Sequence, residues 1–135
     1  RIQLPIGRHP TQRKKMSTNS RAGRIAETLW RVEKRYAGFT LLQLDLKSGR
    51  THQIRVHCAA IHHPVVGDPL YGGRRSSAIP GFVPDAVKIM LQKVKRQMLH
   101  AQRLTFHHPT SNASLTFEAP LPDDMQALVN ALDGK

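Results

Sequence analysis

Apolar and polar positions alternate with period two from residue 25 to 47. Ala26, Thr28, Trp30 and Val32 alternate with Glu27, Arg31 and Glu33, and Ala37-Gly38 breaks the run before Leu42, Leu44 and Leu46 resume it against Gln43, Asp45 and Lys47. This pattern predicts an antiparallel hairpin with one buried face and Trp30 in the core. The period then changes. Ile54, Cys58 and Ile61 recur at helical spacing, which predicts a helix over 51–63 with Thr51 as N-cap and Pro64 as its stop. His52, Arg55, Ala59 and His62 form a second stripe on that helix. A long Gly/Pro loop follows. Val87, Met90, Leu91, Val94 and Met98 predict a second helix over 85–99. Leu104 and Phe106, the turn-forming "HHPTSN", and Leu115, Phe117 and Ala119 predict a second strand pair. Pro122 opens a last helix, whose positive end Asp123 and Asp124 complement and whose core face is Met125, Leu128, Val129 and Leu132. Residues 1–24 show no period and are expected to form a loop or an irregular hairpin. The order of elements predicts an α+β fold, an antiparallel or mixed sheet with flanking helices.

Charge changes this picture. Of 135 residues, 21 are Lys or Arg and 9 are Asp or Glu, a formal net charge of +12. Arg8, Arg13, Lys14, Lys15, Arg21 and Arg24 stand in one acid-free segment. Such an excess predicts a polyanionic partner, nucleic acid before anionic membrane, because the cations are not confined to one amphipathic helix. The segment is expected to lie on phosphates as a basic arm. No apolar run is long enough to span a bilayer. The single Cys58 excludes an internal disulfide and fits a reducing compartment.

The candidate chemistry is narrower than the composition suggests. Eight histidines raise a metal site, but His52 and His57 diverge on a helix, and the pairs His62-His63 and His107-His108 point apart in extended chain. No metal is expected. Cys58 lies on the apolar stripe and reads as a small core residue. "SGRTHQIR" lacks the glycines and the Lys-Ser/Thr ending of a phosphate-cradling loop, and "YGG" reads only as a turn. Composition and periodicity therefore lead to a basic α+β domain that binds RNA or DNA and holds Arg55 on a helix face.

Longer motifs add a family. "SGRTHQIRVH" at Ser48–His57, followed by "HPVVGDPLYGG" at His63–Gly73, resembles the RluA family of RNA pseudouridine synthases, near its RluD-like members, which read "TGRTHQIRVH" and then "HP-x-x-GD-x-x-YG". "RHPTQRKKM" at Arg8–Met16 and "LQKVKRQMLHAQRLTFHHP" at Leu91–Pro109 resemble flanking segments of the same family in the same order.

The resemblance implies a fold and a reaction. Arg55 matches the family's active-site basic residue, the partner of a nucleophilic aspartate. That aspartate stands in an "HRLD" motif and is followed by a strand tyrosine; both would precede the region matched by Arg1, and no "HRLD" occurs here. Residues 1–135 are thus expected to be the C-terminal portion of a catalytic domain, inactive alone. The family reaction breaks the uridine N-glycosidic bond, turns the uracil and rejoins it through carbon, with no metal or organic cofactor. The target base must leave its stack. Ile54 and Leu99 or Leu104 are expected to wall its pocket, with His52 as a hydrogen-bonding group. Arg50 joins the basic arm as an RNA contact. The expected partner is structured ribosomal or transfer RNA in the cytoplasm. The rival readings are a non-catalytic RNA-binding module and a basic ribosome-associated structural domain.

Overall fold

The computed structural model describes residues 1–74, 79 and 81–135. Among the described residues six strands and three helices follow in order: β1 (Ile2–Arg8), β2 (Met16–Ser17), β3 (Arg24–Tyr36), β4 (Phe39–Leu46), α1 (Gln53–Ala60), α2 (Asp85–Lys93), β5 (Arg103–His107), β6 (Ser114–Glu118) and α3 (Asp123–Leu132). Strands β2-β1-β3-β4 form one antiparallel sheet, and β5-β6 form a separate pair. The α+β expectation is met.

The expected hairpin is β3-β4. Gly38, with φ of 78°, makes its turn, and the register slips between Val32 and Lys34. Trp30 does not enter the core. Helix α1 packs on β1 and β3 and covers Ala26 and Thr28, which are buried, whereas Trp30, two residues further along, is 40% exposed. Alternation gives the correct side of the strand but not how far the covering helix reaches.

The amino-terminal segment departs most from expectation. Residues 2–8 are a full strand in the middle of the sheet, paired Ile2↔Thr28 through Ile6↔Arg24. Pro5 and Gly7 disguise it, since both are poor strand formers. Its inward Ile6 forms the small core with Ala26 and Val56, against which Met16 and Tyr71 pack. Gly7 is needed there, because a Cβ would fall 2.6 Å from Ser20 Cβ.

Helix α1 is shorter than 51–63 and begins differently. His52, not Thr51, is its N-cap residue, in a left-handed conformation with φ of 55°. Its start is organised instead by Gln53. The Gln53 side chain accepts from Ser48 Oγ and the Arg50 N–H, and donates to the Glu27 carbonyl and Thr28 Oγ1. The far end is a Schellman closure. His62 is left-handed with φ of 63°, its N–H donates to the Ala59 carbonyl, and the His63 N–H donates to Cys58. The helix therefore ends before Pro64 acts. Its buried face is Gln53, Arg55, Val56, His57 and Cys58, so three polar residues enter where the apolar stripe had named Ile54 and Ile61. Helix α2 also stops early, at Lys93; Val94 is extended, and Met98 is buried through a backbone bond from its N–H to the Val66 carbonyl. Helix α3 starts after Pro122 as expected and packs on α2, burying Leu128. Strands β5 and β6 fall where alternation put them, yet stand exposed, with Phe106 stacked on Phe117. Among the described residues no helix is long and apolar enough to cross a membrane.

Candidate active site

Arg55 is only 8% exposed on α1. A buried guanidinium requires a partner, and it has Asp68: Nε donates to Oδ2 at 2.7 Å and Nη2 to Oδ1 at 2.8 Å. Asp68 is fully buried in the loop after α1. Its Oδ1 also accepts from the Leu70 and Tyr71 N–H groups at 2.8 and 3.0 Å. This is an Asx-type turn, in which an aspartate takes the amides two and three residues on; Pro69, directly after the aspartate, has no amide to offer. Gly67 precedes it with φ of 76°, and its N–H donates to the Gly73 carbonyl, closing the loop on itself. Burial alone would push the Asp68 carboxyl up, but Arg55 and then the two amides bring it below the usual carboxylate range. The same bond to Asp68 raises Arg55. The pair is therefore ionised.

The turn also delivers Tyr71 beneath the guanidinium, whose Cζ lies 5.1 Å from the ring centroid. The Tyr71 hydroxyl accepts from the Met16 N–H at 2.9 Å and lies 2.9 Å from His52 Nδ1. Burial first, and then the Arg55 charge, lowers the His52 pKa. The His52 ring is therefore favoured in its neutral form, and its Nδ1 shares one hydrogen bond with the tyrosine hydroxyl. Four side chains, His52, Arg55, Asp68 and Tyr71, thus form one network between α1, the loop after it and the start of β2. The left-handed backbone at His52, a conformation costly for a residue with a Cβ, sits inside this network.

The basic arm lies beside it. An open groove of about 330 Å³ is lined by Gln12, Arg13, Lys14, Lys15 and Leu70. It runs between the β1–β2 connection and the turn that carries Asp68 and Tyr71. Arg8, Arg13, Lys14, Arg21, Arg24 and Arg50 are exposed and Lys15 is half-buried. Among the described residues none of the seven forms an ion pair. Their charge is free for an external anion.

The other expected site residues are scattered. Ile54 is half-buried next to Arg55 in sequence. Leu99 is half-buried, and its carbonyl accepts from Arg96 Nη1. Leu104 is 61% exposed on the separate β5-β6 pair. Among the described residues no hydrogen bond joins Leu99 or Leu104 to the Arg55 network. Cys58 is buried, which pushes its thiol up to about 11 and leaves it unreactive. Among the described residues no three His, Cys, Asp or Glu side chains are grouped to hold a metal ion.

Three residues of consequence escape sequence patterning. Asp68 and Tyr71 lie in "GDPLYGG", which reads as a turn. The available signal is the aspartate followed three positions on by an aromatic, with Gly before and Pro after the acid. His57 is fully buried, with Nδ1 2.9 Å from Thr28 Oγ1 and Nε2 donating to the Leu4 carbonyl at 3.1 Å. It ties α1 to β1 and β3, and its place between Val56 and Cys58 gave no periodic sign.

Comparison with known proteins gives the network a context. Residues 1–60 match the family described as RNA pseudouridylate synthase. The chain is 46% identical over 131 residues to ribosomal large subunit pseudouridine synthase D of Vibrio cholerae, covering 97% of this chain and 40% of that protein. It is 44% identical to the protein of that name from Escherichia coli, covering 97% of this chain and 39% of that one. For the Xanthomonas campestris protein the identity is 45%, over 95% of this chain and 38% of the relative. The structure is similar to human RNA Pseudouridylate Synthase Domain Containing 1, with a TM-score of 0.66 and 26% identity, covering 99% of this chain and 59% of that one. The chain thus spans 38–40% of the length of these three bacterial relatives. Along nearly its whole length the chain is similar in sequence to ribosomal large subunit pseudouridine synthase D proteins, over residues 1–60 it matches the RNA pseudouridylate synthase family, and its fold is similar to that of the human pseudouridylate synthase domain protein.

Proposed function

We propose that the protein isomerises uridine to pseudouridine in structured RNA, and that residues 1–135 are the C-terminal portion of its catalytic domain. Ribosomal RNA of the large subunit is the first substrate to test, with transfer RNA as the alternative, and the cytoplasm is where both would be met. The observation that carries this reading is Arg55: a nearly buried, ionised guanidinium held at two nitrogens beside a groove of unpaired cations.

In this reading the basic residues hold phosphates and Arg55 holds the reacting carboxylate ionised. Asp68 is not that carboxylate. It is fully buried, Oδ1 accepts three hydrogen bonds and Oδ2 accepts the Arg55 Nε bond, so no oxygen is presented to a substrate. The nucleophile belongs to the "HRLD" segment of the intact protein. With the carboxylate's help the bond between ribose C1′ and N1 breaks; the freed uracil turns, ring C5 bonds to C1′ and gives up its proton, N1 takes one, and the carboxylate is released unchanged. No redox change occurs, and no cofactor is required. His52 offers its second ring nitrogen for hydrogen bonding, and Ile54, Leu99 and Leu104 are the apolar side chains proposed to flank the base.

The experiment is to incubate the intact protein with unmodified transcripts of large-subunit ribosomal RNA and of transfer RNA, and to digest them for nucleoside mass spectrometry. Pseudouridine in the ribosomal transcript is the expected result. Tight binding to both transcripts with pseudouridine in neither would replace this reading with that of a non-catalytic RNA-binding module.

A further inference from the structure

We propose that Asp68 is the positioning residue for Arg55, fixing the guanidinium so that one nitrogen faces the reacting carboxylate; this rests on the function proposed above. A free arginine side chain turns about its terminal bonds and offers five N–H groups in no fixed direction. Here Nε and Nη2 are taken by the two carboxylate oxygens, and the Tyr71 ring lies against the cation. Nη1 has no hydrogen-bond partner among the described residues. Among the described residues the Tyr36 hydroxyl is the one fully sealed side-chain polar atom without a partner, so the unpartnered Nη1 is not fully closed off from solvent. The guanidinium is thus held along one edge and on one face, with its remaining nitrogen presented.

Asp68 is itself held by parts that do not depend on Arg55. The Leu70 and Tyr71 amides bind Oδ1, and the Gly67–Gly73 closure fixes the backbone. The direction of Arg55 is therefore set by a rigid turn rather than by the flexible side chain. The two oxygens divide the work: Oδ1 builds the turn and also accepts from Arg55 Nη2, while Oδ2 serves Arg55 Nε alone.

That division makes Asp68→Asn a selective probe. Asparagine keeps an oxygen for the two amides and puts an NH2 group against Arg55 Nε, donor against donor. A misdirected reacting group costs up to about 100-fold in rate. In the intact protein Asp68→Asn is expected to lower the single-turnover rate at saturating enzyme by roughly tenfold or more, with RNA affinity within about twofold. Lysine has no fork to align. In an Arg55→Lys background the further loss from Asp68→Asn should therefore shrink to about twofold or less. A purely structural role would give the same loss in both backgrounds, and that result overturns the proposal. Should Asp68→Asn fail to fold, Asp68→Glu keeps the charge and shifts the carboxylate by one methylene; a wild-type rate in that variant overturns the proposal, and a slowed rate with unchanged affinity supports it. Arg55→Lys slow with Asp68→Asn at the wild-type rate sinks this inference alone. Arg55→Lys at the wild-type rate sinks the proposed function with it.

Discussion

At the scale of single residues the chain uses buried polar groups where an apolar stripe was expected. Gln53, Arg55 and His57 are all buried on α1, and each is hydrogen-bonded. A buried polar group is tolerable only when paired, and losing a partner costs about 1–3 kcal/mol. His57 gives this a pH signature. Burial lowers its pKa below the ordinary 6.5, against a smaller opposing effect of the Leu4 carbonyl. The unfolded chain therefore binds the proton more readily than the folded one. The stability from neutral His57 is complete above about pH 6.5 and is lost as pH falls from there toward the lowered folded value. His52 shifts the same way and adds to the slope. Thermal melts should show the midpoint falling between pH 7.5 and 5.5. His57→Gln should be less stable at pH 7.5 by about 1–3 kcal/mol, yet show a shallower fall. An equally steep fall in that variant would mean that His57 is not the titrating group.

At the scale of elements the strand pairs and the opening of α3 were legible, because alternation and a proline before two acids are local signals. Strand β1 was not. Pro5 and Gly7 obscure it, and only the tertiary fact that it lies between β2 and β3 makes Ile6 a core residue. The limits of α1 were missed for a related reason. They are set by left-handed backbone at His52 and His62, and although histidine visits that conformation more readily than most residues with a Cβ, it does so too rarely for the sequence to mark these two. Of the candidate site, motif resemblance picked out Arg55, but its partner within the chain lay in a loop read only as a turn. That loop is close-packed. A Cβ on Gly73 would collide with the Val65 carbonyl oxygen and lie 2.7 Å from the Asp68 nitrogen. Gly73→Ala should destabilise the protein by about 1–3 kcal/mol in urea melts. Gly49→Ala, with nothing within 4 Å of its Cβ, should stay within about 0.5 kcal/mol. Equal melts for the two would show that the turn is not the tight element described.

At the scale of the whole molecule two functions sit side by side. A net charge of +12, with seven arm and loop cations that form no ion pair among the described residues, supplies attraction for a polyanion without regard to its sequence. The Arg55 network supplies the opposite: one cation, nearly buried, neutralised along one edge and fixed in direction. A phosphate contact needs no such construction. The central claim is this division, with the basic face binding RNA and Arg55 serving the reaction. It is tested most directly in the intact protein by measuring RNA affinity against salt together with the single-turnover rate at saturating enzyme, for Arg55→Lys and for a variant with Arg13, Lys14 and Lys15 changed to Gln. Arg55→Lys keeps a cation opposite Asp68, so the core stays paired. The account predicts that the arm variant loses affinity, with a log–log salt slope smaller by about one for each phosphate contact removed, and keeps its saturated rate. It predicts that Arg55→Lys keeps affinity and salt slope while the saturated rate falls by about tenfold or more. Arg55→Lys with weakened affinity and an intact saturated rate would make Arg55 one more phosphate contact and contradict the account.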